Sequence, residues 1–506
     1  MRYNIIANLF TALLFILLPA IIFPLYIKVL DAERYGLFTF YFVILIYFKI
    51  FDLGITPAFN RFIAHEVDKK FVRNLLKNFE IFFLFLSVVI IFITFIFKNY
   101  VSDHWLISTN VSIDSMNRSI IIISLIVSTK FFISIYRGGI NGLEQQIWIN
   151  SVKVFFEFFS LIGGLLFIYA INSFSQFSYN FDISYLFLFF LLFSFFELWI
   201  CRKKLISFLP KKTNLRLLDF SPFRKILSFI LMSAITTSSW LLVNWFDRII
   251  FSGSLNLKYY GFYVTITLFA SLALMIVVSI NTALLPRITN LISINKVDKM
   301  KEYFNLTLLL NISVIFSICV IIVIFSNELL IVWTGNSELS TWGHKTLTIY
   351  VLGYSSIAFT HTITTYLTSI GKLKIPTIMN IIWAPIMIFL FYYASQKSSI
   401  YFAGLYWFIV NTIYLFIYIL LCYINFKDIF NWQRIIINFI KILIISFFLI
   451  GILINVKEYI LFNNRLIMLI EISTIYSLIF LSFIISIKQL RELFINYSLV
   501  FYRKIF

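Results

Sequence analysis

The sequence predicts an all-α polytopic membrane protein. Of its 506 residues, 61% are hydrophobic and 12% are charged, and the mean hydropathy is +0.96. Soluble domains are typically about 45–50% apolar and about 25% charged. So few charges cannot cover a surface that faces water. Most of the chain is therefore expected to lie in lipid.

Fourteen segments meet the requirement of a membrane-spanning helix, which is about 20 mostly apolar residues. Their long apolar runs indicate helices, because barrel strands would instead alternate over roughly ten residues. The first run follows Arg2, is longer than the apolar region of a signal peptide and lacks its cleavage site, so we interpret it as an uncleaved helix. The predicted spans lie near 4–27, 37–60, 79–97, 119–136, 147–171, 184–200, 226–246, 262–285, 304–326, 346–370, 376–395, 400–424, 438–455 and 466–487.

The basic excess is explained mainly by topology. The chain has 41 Lys and Arg against 22 Asp and Glu, and basic residues collect in cytoplasmic loops. With a cytoplasmic N-terminus, 27 of the 41 fall in inside segments and 10 in outside segments. This predicts cytoplasmic N- and C-termini, and no nucleic-acid partner is needed. The three cysteines have no metal-ligand spacing, so we expect no metal, disulfide framework or cofactor.

Two halves of the chain share short motifs. Tyr35-Gly36 precedes a span that leads to Val67-Asp68-Lys69, and Tyr260-Gly261 precedes a span that leads to Val297-Asp298-Lys299. This pattern predicts a parallel pseudo-repeat of two six-helix bundles, a transporter feature that places the site between the halves. The predicted parts are an N-terminal bundle (1–200), a basic cytoplasmic linker (201–225), a C-terminal bundle (226–424) and two additional helices with a cytoplasmic tail (425–506).

Ionisable residues inside spans are the candidate functional residues, because each costs about 2.5–3.5 kcal/mol at a helix centre. The candidates are Lys49, Asp52, Arg61, Lys130, Arg137, Lys153, Glu157, Asp247 and Arg248. Lys130 and Arg137 are seven residues apart and share a helix face. Cations outnumber acids in this set, which favours an anionic substrate.

Structural roles are open for the same residues. Lys49 with Asp52, and Lys153 with Glu157, have the spacing of pairs that neutralise each other within one helix. Arg61 and Arg137 could be anchors at the inner interface. Asp247-Arg248 could cap a helix end at the outer interface.

Several segments carry a family resemblance. Glu33-Arg34-Tyr35-Gly36-Leu37 follows the first span, and Phe51-Asp52-Leu53-Gly54-Ile55 leads to Asn60-Arg61. In the second half, Asp247-Arg248 precedes Tyr260-Gly261, and Leu285-Pro286-Arg287 and Thr368-Ser369-Ile370-Gly371-Lys372 follow in order. These segments resemble the polysaccharide transporter family, the Wzx-type O-antigen flippases, over nearly the whole chain.

The resemblance implies the fold of the multidrug/oligosaccharidyl-lipid/polysaccharide exporter superfamily. It implies that undecaprenyl-pyrophosphate-linked oligosaccharide moves from the inner to the outer leaflet of the bacterial plasma (inner) membrane by alternating access, for O-antigen or other surface polysaccharide. H⁺ or Na⁺ would be the coupling ion, and the polymerase and chain-length machinery would be further partners. The implied substrate-binding residues are Lys49, Arg61, Lys130, Arg137 and Lys153; the implied ion-coupling or gating residues are Asp52, Glu157, Asp247 and Arg248.

Other functions stay open. A peptidoglycan-precursor flippase or a drug/cation antiporter would share the fold, although an antiporter for cations should have a negative cavity. Asp31-Ala32-Glu33 superficially resembles the acidic pair of membrane glycosyltransferases that use lipid-linked donors. Acids at a helix start are the simpler interpretation, so we expect a protein that is not an enzyme.

Overall fold

The protein is seen in a computed structural model that describes residues 2–65, 68–174, 181–210, 221–293, 296–370, 372, 374–397, 399–425, 432–457, 465–487 and 491–492. Within these ranges the regular structure is helical, and an isolated parallel bridge joins Ile107 to Asn256. Each of the fourteen predicted spans lies on a helix, and the second lies on two. The predicted all-α membrane fold is confirmed.

The helices follow one another with short connections. They are α1 (Arg2–Val29), α2 (Ala32–Tyr47), α3 (Ile55–His65), α4 (Lys69–Tyr100), α5 (Ile113–Gly142), α6 (Gln146–Phe174), α7 (Ser184–Ser207), α8 (Ser221–Ser252), α9 (Leu257–Ser293), α10 (Val297–Thr334), α11 (Ser337–Ser369), α12 (Lys374–Gln396), α13 (Ile400–Asn425), α14 (Trp432–Lys457) and α15 (Arg465–Ser486). A 3-10 segment, Phe48–Asp52, follows α2, and a π-helical turn, Val101–Trp105, follows α4.

Lipid is the environment that these helices fit. Ten helices in the described ranges are long and apolar enough to cross a bilayer. On α4, one face exposes large apolar side chains: Leu84, Phe85, Val88, Phe92, Phe95 and Ile96. A continuous apolar face of this kind needs an apolar partner. The chain is a multi-pass membrane protein.

The chain packs into two compact units. The first comprises Met1–Val264 with Ala384–Ser398, and the second comprises Thr265–Trp383 with Ser399–Phe506. The bundle boundaries that the repeat suggests stay predictions. Residues 211–220 of the basic linker and 493–506 of the tail lie outside the described residues.

The predicted second span, near 37–60, is not one helix. It breaks at the 3-10 segment, where Leu53 and Gly54 have positive φ angles of 49° and 73°. Asp52 restarts the helix by accepting hydrogen bonds from the Thr56 backbone N–H at 3.2 Å and the Thr56 hydroxyl at 2.5 Å. Lys49 and Asp52 both lie in the 3-10 segment, where residues three apart share a face, but the Asp52 carboxylate bonds to Thr56 at the start of α3.

A buried carboxylate holds the connection between α4 and α5. Glu33, at the start of α2, is 4% exposed. It accepts hydrogen bonds from the Ser108 hydroxyl (2.6 Å), the Thr109 hydroxyl (2.7 Å) and the Asn110 backbone N–H (2.7 Å). Its neighbour Asp31 caps α2 by accepting from the Arg34 N–H at 2.8 Å. Both acids of the predicted helix start therefore have structural partners.

Asp182, in the connection between α6 and α7, bonds to the first turns of α5. The topology predicts both of these segments to lie outside. Its carboxylate accepts a hydrogen bond from the Ser115 hydroxyl and pairs with Arg118 Nη2 at 2.6 Å. Burial opposes the charged form, but the hydrogen bonds from Ser115, the Ser184 N–H and Arg118 hold the pKa of Asp182 below its usual value. Segments that the sequence predicts to lie on the outer side of the membrane thus contact each other.

The two Tyr-Gly motifs of the predicted repeat meet in the first unit. A Cβ atom added at Gly36 would lie 1.9 Å from the carbonyl oxygen of Leu257, and one at Gly261 would lie 3.0 Å from the Gly36 Cα. Tyr35 and Tyr260 are both fully buried beside this crossing. The glycines are needed because the backbones of α2 and α9 touch here.

The second unit is organised around α10, which packs against α11, α14 and α15. This helix is kinked at Phe325, whose φ and ψ are −111° and 23°. Lys457, at the end of α14, donates to the freed Ile324 carbonyl at 2.8 Å and pairs with Glu328 at 2.8 Å. The appended helix α14 therefore closes a break in the helix that it packs against.

The crossing of the glycine motifs gives a stability prediction. We expect Gly36→Ala to lower the apparent free energy of unfolding by about 1–3 kcal/mol, because the added methyl group would collide with a backbone carbonyl that cannot move alone. Thermal unfolding of the detergent-solubilised protein measures the loss. Gly451→Ala is the matched control, since nothing lies within 4 Å of that position. If both variants unfold at the same temperature, the close crossing is wrong.

Candidate functional site

Glu197 on α7 is the centre of a charged cluster in the first unit. It is 1% exposed. Lys130 Nζ lies 3.0 Å from Glu197 Oε2, and Arg137 pairs with Glu197 Oε1. Both cations project from one face of α5, as their spacing of seven residues predicts. The structure thus joins two predicted cations through an acid that the sequence reasoning did not single out.

Three further predicted residues interact with this centre or with one another: Lys49, Lys153 and Glu157. Glu157 on α6 interacts electrostatically with Lys130, Arg137, Glu197 and Lys49. Lys153, one turn before Glu157, interacts with Arg137, Lys49 and Glu197. A cluster thus forms from four helical segments although its members are far apart in sequence.

Neither helical pair that the sequence suggested is formed. Among the described residues, the ion pairs within 4 Å do not include Lys49 with Asp52 or Lys153 with Glu157. Asp52 instead bonds to Thr56, whose hydroxyl lies 2.7 Å from that of Ser134 on α5. The hydrogen bonds from Thr56 to Asp52 replace the first pair.

The cluster carries an excess of positive charge. We define the cation cluster as Lys49, Lys130, Arg137, Lys153, Glu157 and Glu197. Four cations against two carboxylates leave a formal charge of +2. Lys49 is exposed and Lys153 is half-buried. Since Glu197 engages Lys130 and Arg137, these two lysines are the cations best placed to meet a ligand.

The remaining predicted residues lie apart from the cluster. Arg61 is exposed on α3. Asp247 and Arg248 are each 1% exposed, and α8 continues past them to Ser252, so they do not cap a helix end as one interpretation held. Asp247 accepts from the Tyr263 hydroxyl at 2.6 Å, and the Arg248 guanidinium lies 4.0 Å from the centre of the Trp245 ring. This pair forms a buried network that links α8 to α9.

A cleft opens beside the cation cluster, between α2, α5, α6 and α7. It encloses about 470 Å³, part of it open to the surroundings. Lys130, Glu157 and Glu197 supply its charged part. We call it the aromatic cleft, because its walls include Tyr41, Phe42, Phe156, Phe190 and Phe193.

Two acids, the buried Glu197 and the half-buried Glu80, were missed by the sequence reasoning. Glu197 pairs with the α5 cations, and Glu80 on α4 accepts from the Tyr136 hydroxyl at 2.6 Å, with Arg202 3.8 Å away. The available signal was an isolated glutamate in an apolar run, which is costly in lipid and therefore expected to have a partner. Within the described ranges, no group of three His, Cys, Asp or Glu side chains is arranged to hold a metal.

Comparison with solved structures identifies the fold. The structure of the lipid II flippase MurJ in an inward closed conformation matches with a TM-score of 0.72 and 18% identity over 100% of both chains. An inward-facing multidrug resistance MATE family transporter of the MOP superfamily matches with a TM-score of 0.66 and 14% identity, over 84% of this chain and 98% of that one. A MOP superfamily transporter from Pyrococcus furiosus matches at 0.58 and 14%, over 84% and 96%.

Family models place the sequence. A search of curated proteins finds no significant match. The MatE model matches residues 225–393, and the model described as polysaccharide biosynthesis protein matches residues 2–292, more than half of the chain. With a fold shared by MOP superfamily transporters and a membrane-embedded cation cluster, the chain belongs to the polysaccharide biosynthesis protein family.

Proposed function

We propose that the protein moves undecaprenyl-pyrophosphate-linked oligosaccharide from the cytoplasmic to the outer leaflet of the bacterial inner membrane, for O-antigen or another surface polysaccharide. Both termini would be cytoplasmic, and alternating access of the two predicted bundles would carry the cargo across. The observation that carries this proposal is the cation cluster, an excess of positive charge among the helices of a membrane protein in this family.

A diphosphate cannot cross about 30 Å of hydrocarbon by itself, because it would lose its hydration. Fixed cations in a cleft can replace that water while the lipid tail stays in the membrane. Lys49 and Lys153 would receive the phosphate oxygens, and Lys130 and Arg137 would add long-range attraction. Arg61, exposed on α3, would contribute to capture of the head group.

Glu197 has a positioning role in this proposal. Two cations on one face of α5 would repel each other without a shared counter-ion. By pairing with both, Glu197 fixes their side chains and lowers the cost of holding them in the membrane. The net positive charge then remains available to an anionic cargo.

Gating is proposed for the Asp247-Arg248 network, since the hydrogen bond that Tyr263 on α9 donates to Asp247 on α8 can break and re-form as the helices move. H⁺ or Na⁺ is proposed as the coupling ion. Asp52 is less well suited to bind it, because both of its oxygens already accept hydrogen bonds from Thr56. The polymerase and chain-length machinery remain proposed partners.

A peptidoglycan-precursor flippase is the second candidate. The match to the lipid II flippase over the full length of both chains supports it. A diphosphate in either cargo would suit the cation cluster. Export of organic cations is less well supported, because the formal charge of the cluster is positive.

An enzymatic function is tested at Asp31. Asp31→Asn keeps a side chain that caps helices equally well. We therefore expect normal glycan export, measured by surface glycan staining in cells that depend on this protein. We also expect no change in stability, measured by thermal unfolding. A membrane glycosyltransferase that used Asp31 for catalysis would lose its activity in the same assay.

Charge removal at the accessible lysines tests the cargo site. We expect Lys49→Gln combined with Lys153→Gln to reduce export at least tenfold, because a diphosphate contact with a cation contributes about 1.5–3 kcal/mol. Complementation of a deletion strain, with membrane protein levels measured in parallel, gives the readout. Lys98→Gln combined with Lys345→Gln removes the same charge from predicted outside segments and should export normally. Full export by the first double variant would refute the cargo site.

The positioning role of Glu197 predicts strong coupling. Glu197→Gln should destabilise the protein by about 3 kcal/mol, since it leaves Lys130 and Arg137 without their shared counter-ion. Adding Lys130→Met should recover about 1 kcal/mol or more of that loss, because the second change removes one of the two cations that Glu197→Gln leaves without a counter-ion. A double-mutant cycle of thermal unfolding measures the coupling. If the stability losses of the two single variants simply add in the double variant, Glu197 and Lys130 are not coupled and the positioning role is wrong.

A further inference from the structure

We infer that the aromatic cleft holds a sugar ring of the cargo and that Glu157 accepts hydrogen bonds from its hydroxyl groups. This inference rests on the proposed function and adds a place for the saccharide beside the place for the diphosphate. It assigns Glu157 to substrate recognition, where the sequence assigned it to ion coupling or gating.

The walls of the cleft suit the faces of a pyranose ring. Tyr41 and Phe190 are stacked with ring centres 5.5 Å apart, and Tyr41 and Phe42 meet edge-on at 5.0 Å. Phe156 and Phe193 also line the cleft, with ring centres 6.5 Å apart. Rings that brace one another give a rigid apolar surface, and the C–H faces of a sugar can lie against it.

The charged part of the cleft suits the edge of the same ring. Among the contacts of the described residues, Glu157 has no side-chain hydrogen bond and no ion pair within 4 Å. A carboxylate can accept about four hydrogen bonds, and leaving them unmade in a low-dielectric site is costly. Glu197 is already engaged by Lys130 and Arg137. Glu157 is therefore the acceptor that is left for a ligand with several hydroxyl donors.

The position of the cleft matches the connectivity of the cargo. Lys130, Glu157 and Glu197 belong to both the cleft and the cation cluster, so the cleft adjoins the proposed place of the diphosphate. In a lipid-linked saccharide the first sugar is bonded directly to the diphosphate.

A lipid chain is a poorer occupant. An acyl or isoprenyl chain has no donor for Glu157 and would bury three charged groups against hydrocarbon, which is unfavourable. A ring with apolar faces and a hydroxyl edge satisfies the aromatic walls and the carboxylate together.

The test compares two ligands on purified full-length protein in nanodiscs. One is undecaprenyl pyrophosphate; the other is the undecaprenyl-pyrophosphate-linked saccharide that accumulates in host cells lacking the protein. We expect Glu157→Gln to weaken binding of the saccharide lipid about tenfold, since a hydrogen-bonded charged acceptor is lost. Binding of undecaprenyl pyrophosphate should not weaken, because the change removes a negative charge from the cation cluster. Phe193→Ala should show the same selectivity with a loss of about three- to tenfold.

Controls and contrary outcomes separate this inference from the proposed function. Glu144→Gln removes an exposed carboxylate from the α5–α6 turn of the same unit and should bind both lipids normally. Equal weakening of both lipids by Glu157→Gln, or unchanged binding with loss of transport, would overturn the sugar site. If the wild-type protein binds neither lipid, the proposed function itself fails. Thermal unfolding of each variant identifies a loss of binding that is due to misfolding.

Discussion

Water is absent from the hydrocarbon core of a bilayer, so each polar or ionised group that lies there must find its partners within the protein. This constraint explains the most specific contacts of the first unit. Glu197 is almost fully buried because Lys130 and Arg137 surround it. Asp247 and Arg248 are buried together, with Tyr263 and the Trp245 ring completing their surroundings. Paired acids hold the cations in the membrane, and the excess of cations gives the site a net positive formal charge.

The same constraint governs breaks in helices. The 3-10 segment after α2 frees backbone groups, and Asp52 and Thr56 satisfy the restart of α3. At the α10 kink, Lys457 donates to the carbonyl of Ile324. Each break is closed by a side chain from the new helix start or from a packed neighbour. Such breaks are possible places for movement because few bonds must change there.

The two units use different chemistry inside. The first unit contains the cation cluster. In the second, α9, α10 and α11 share a mostly neutral network: Asn311 donates to the Asn281 side-chain oxygen at 2.8 Å and to Thr362 at 3.0 Å, and the Asn281 amide lies 3.1 Å from His361 Nδ1. Amides and hydroxyls can satisfy one another without an ionised group. The proposed anionic cargo would therefore find its complement in the first unit.

The sequence by itself determined the class of the protein, the order of its apolar helices, and the face that Lys130 shares with Arg137. These follow from local composition and from the period of a helix, which act over short stretches of chain. The tertiary structure alone decided that Glu197 joins those cations and that Gly36 touches the backbone of Leu257. Partners far apart in sequence are chosen by packing between helices, and helical spacing carries no information about which faces meet.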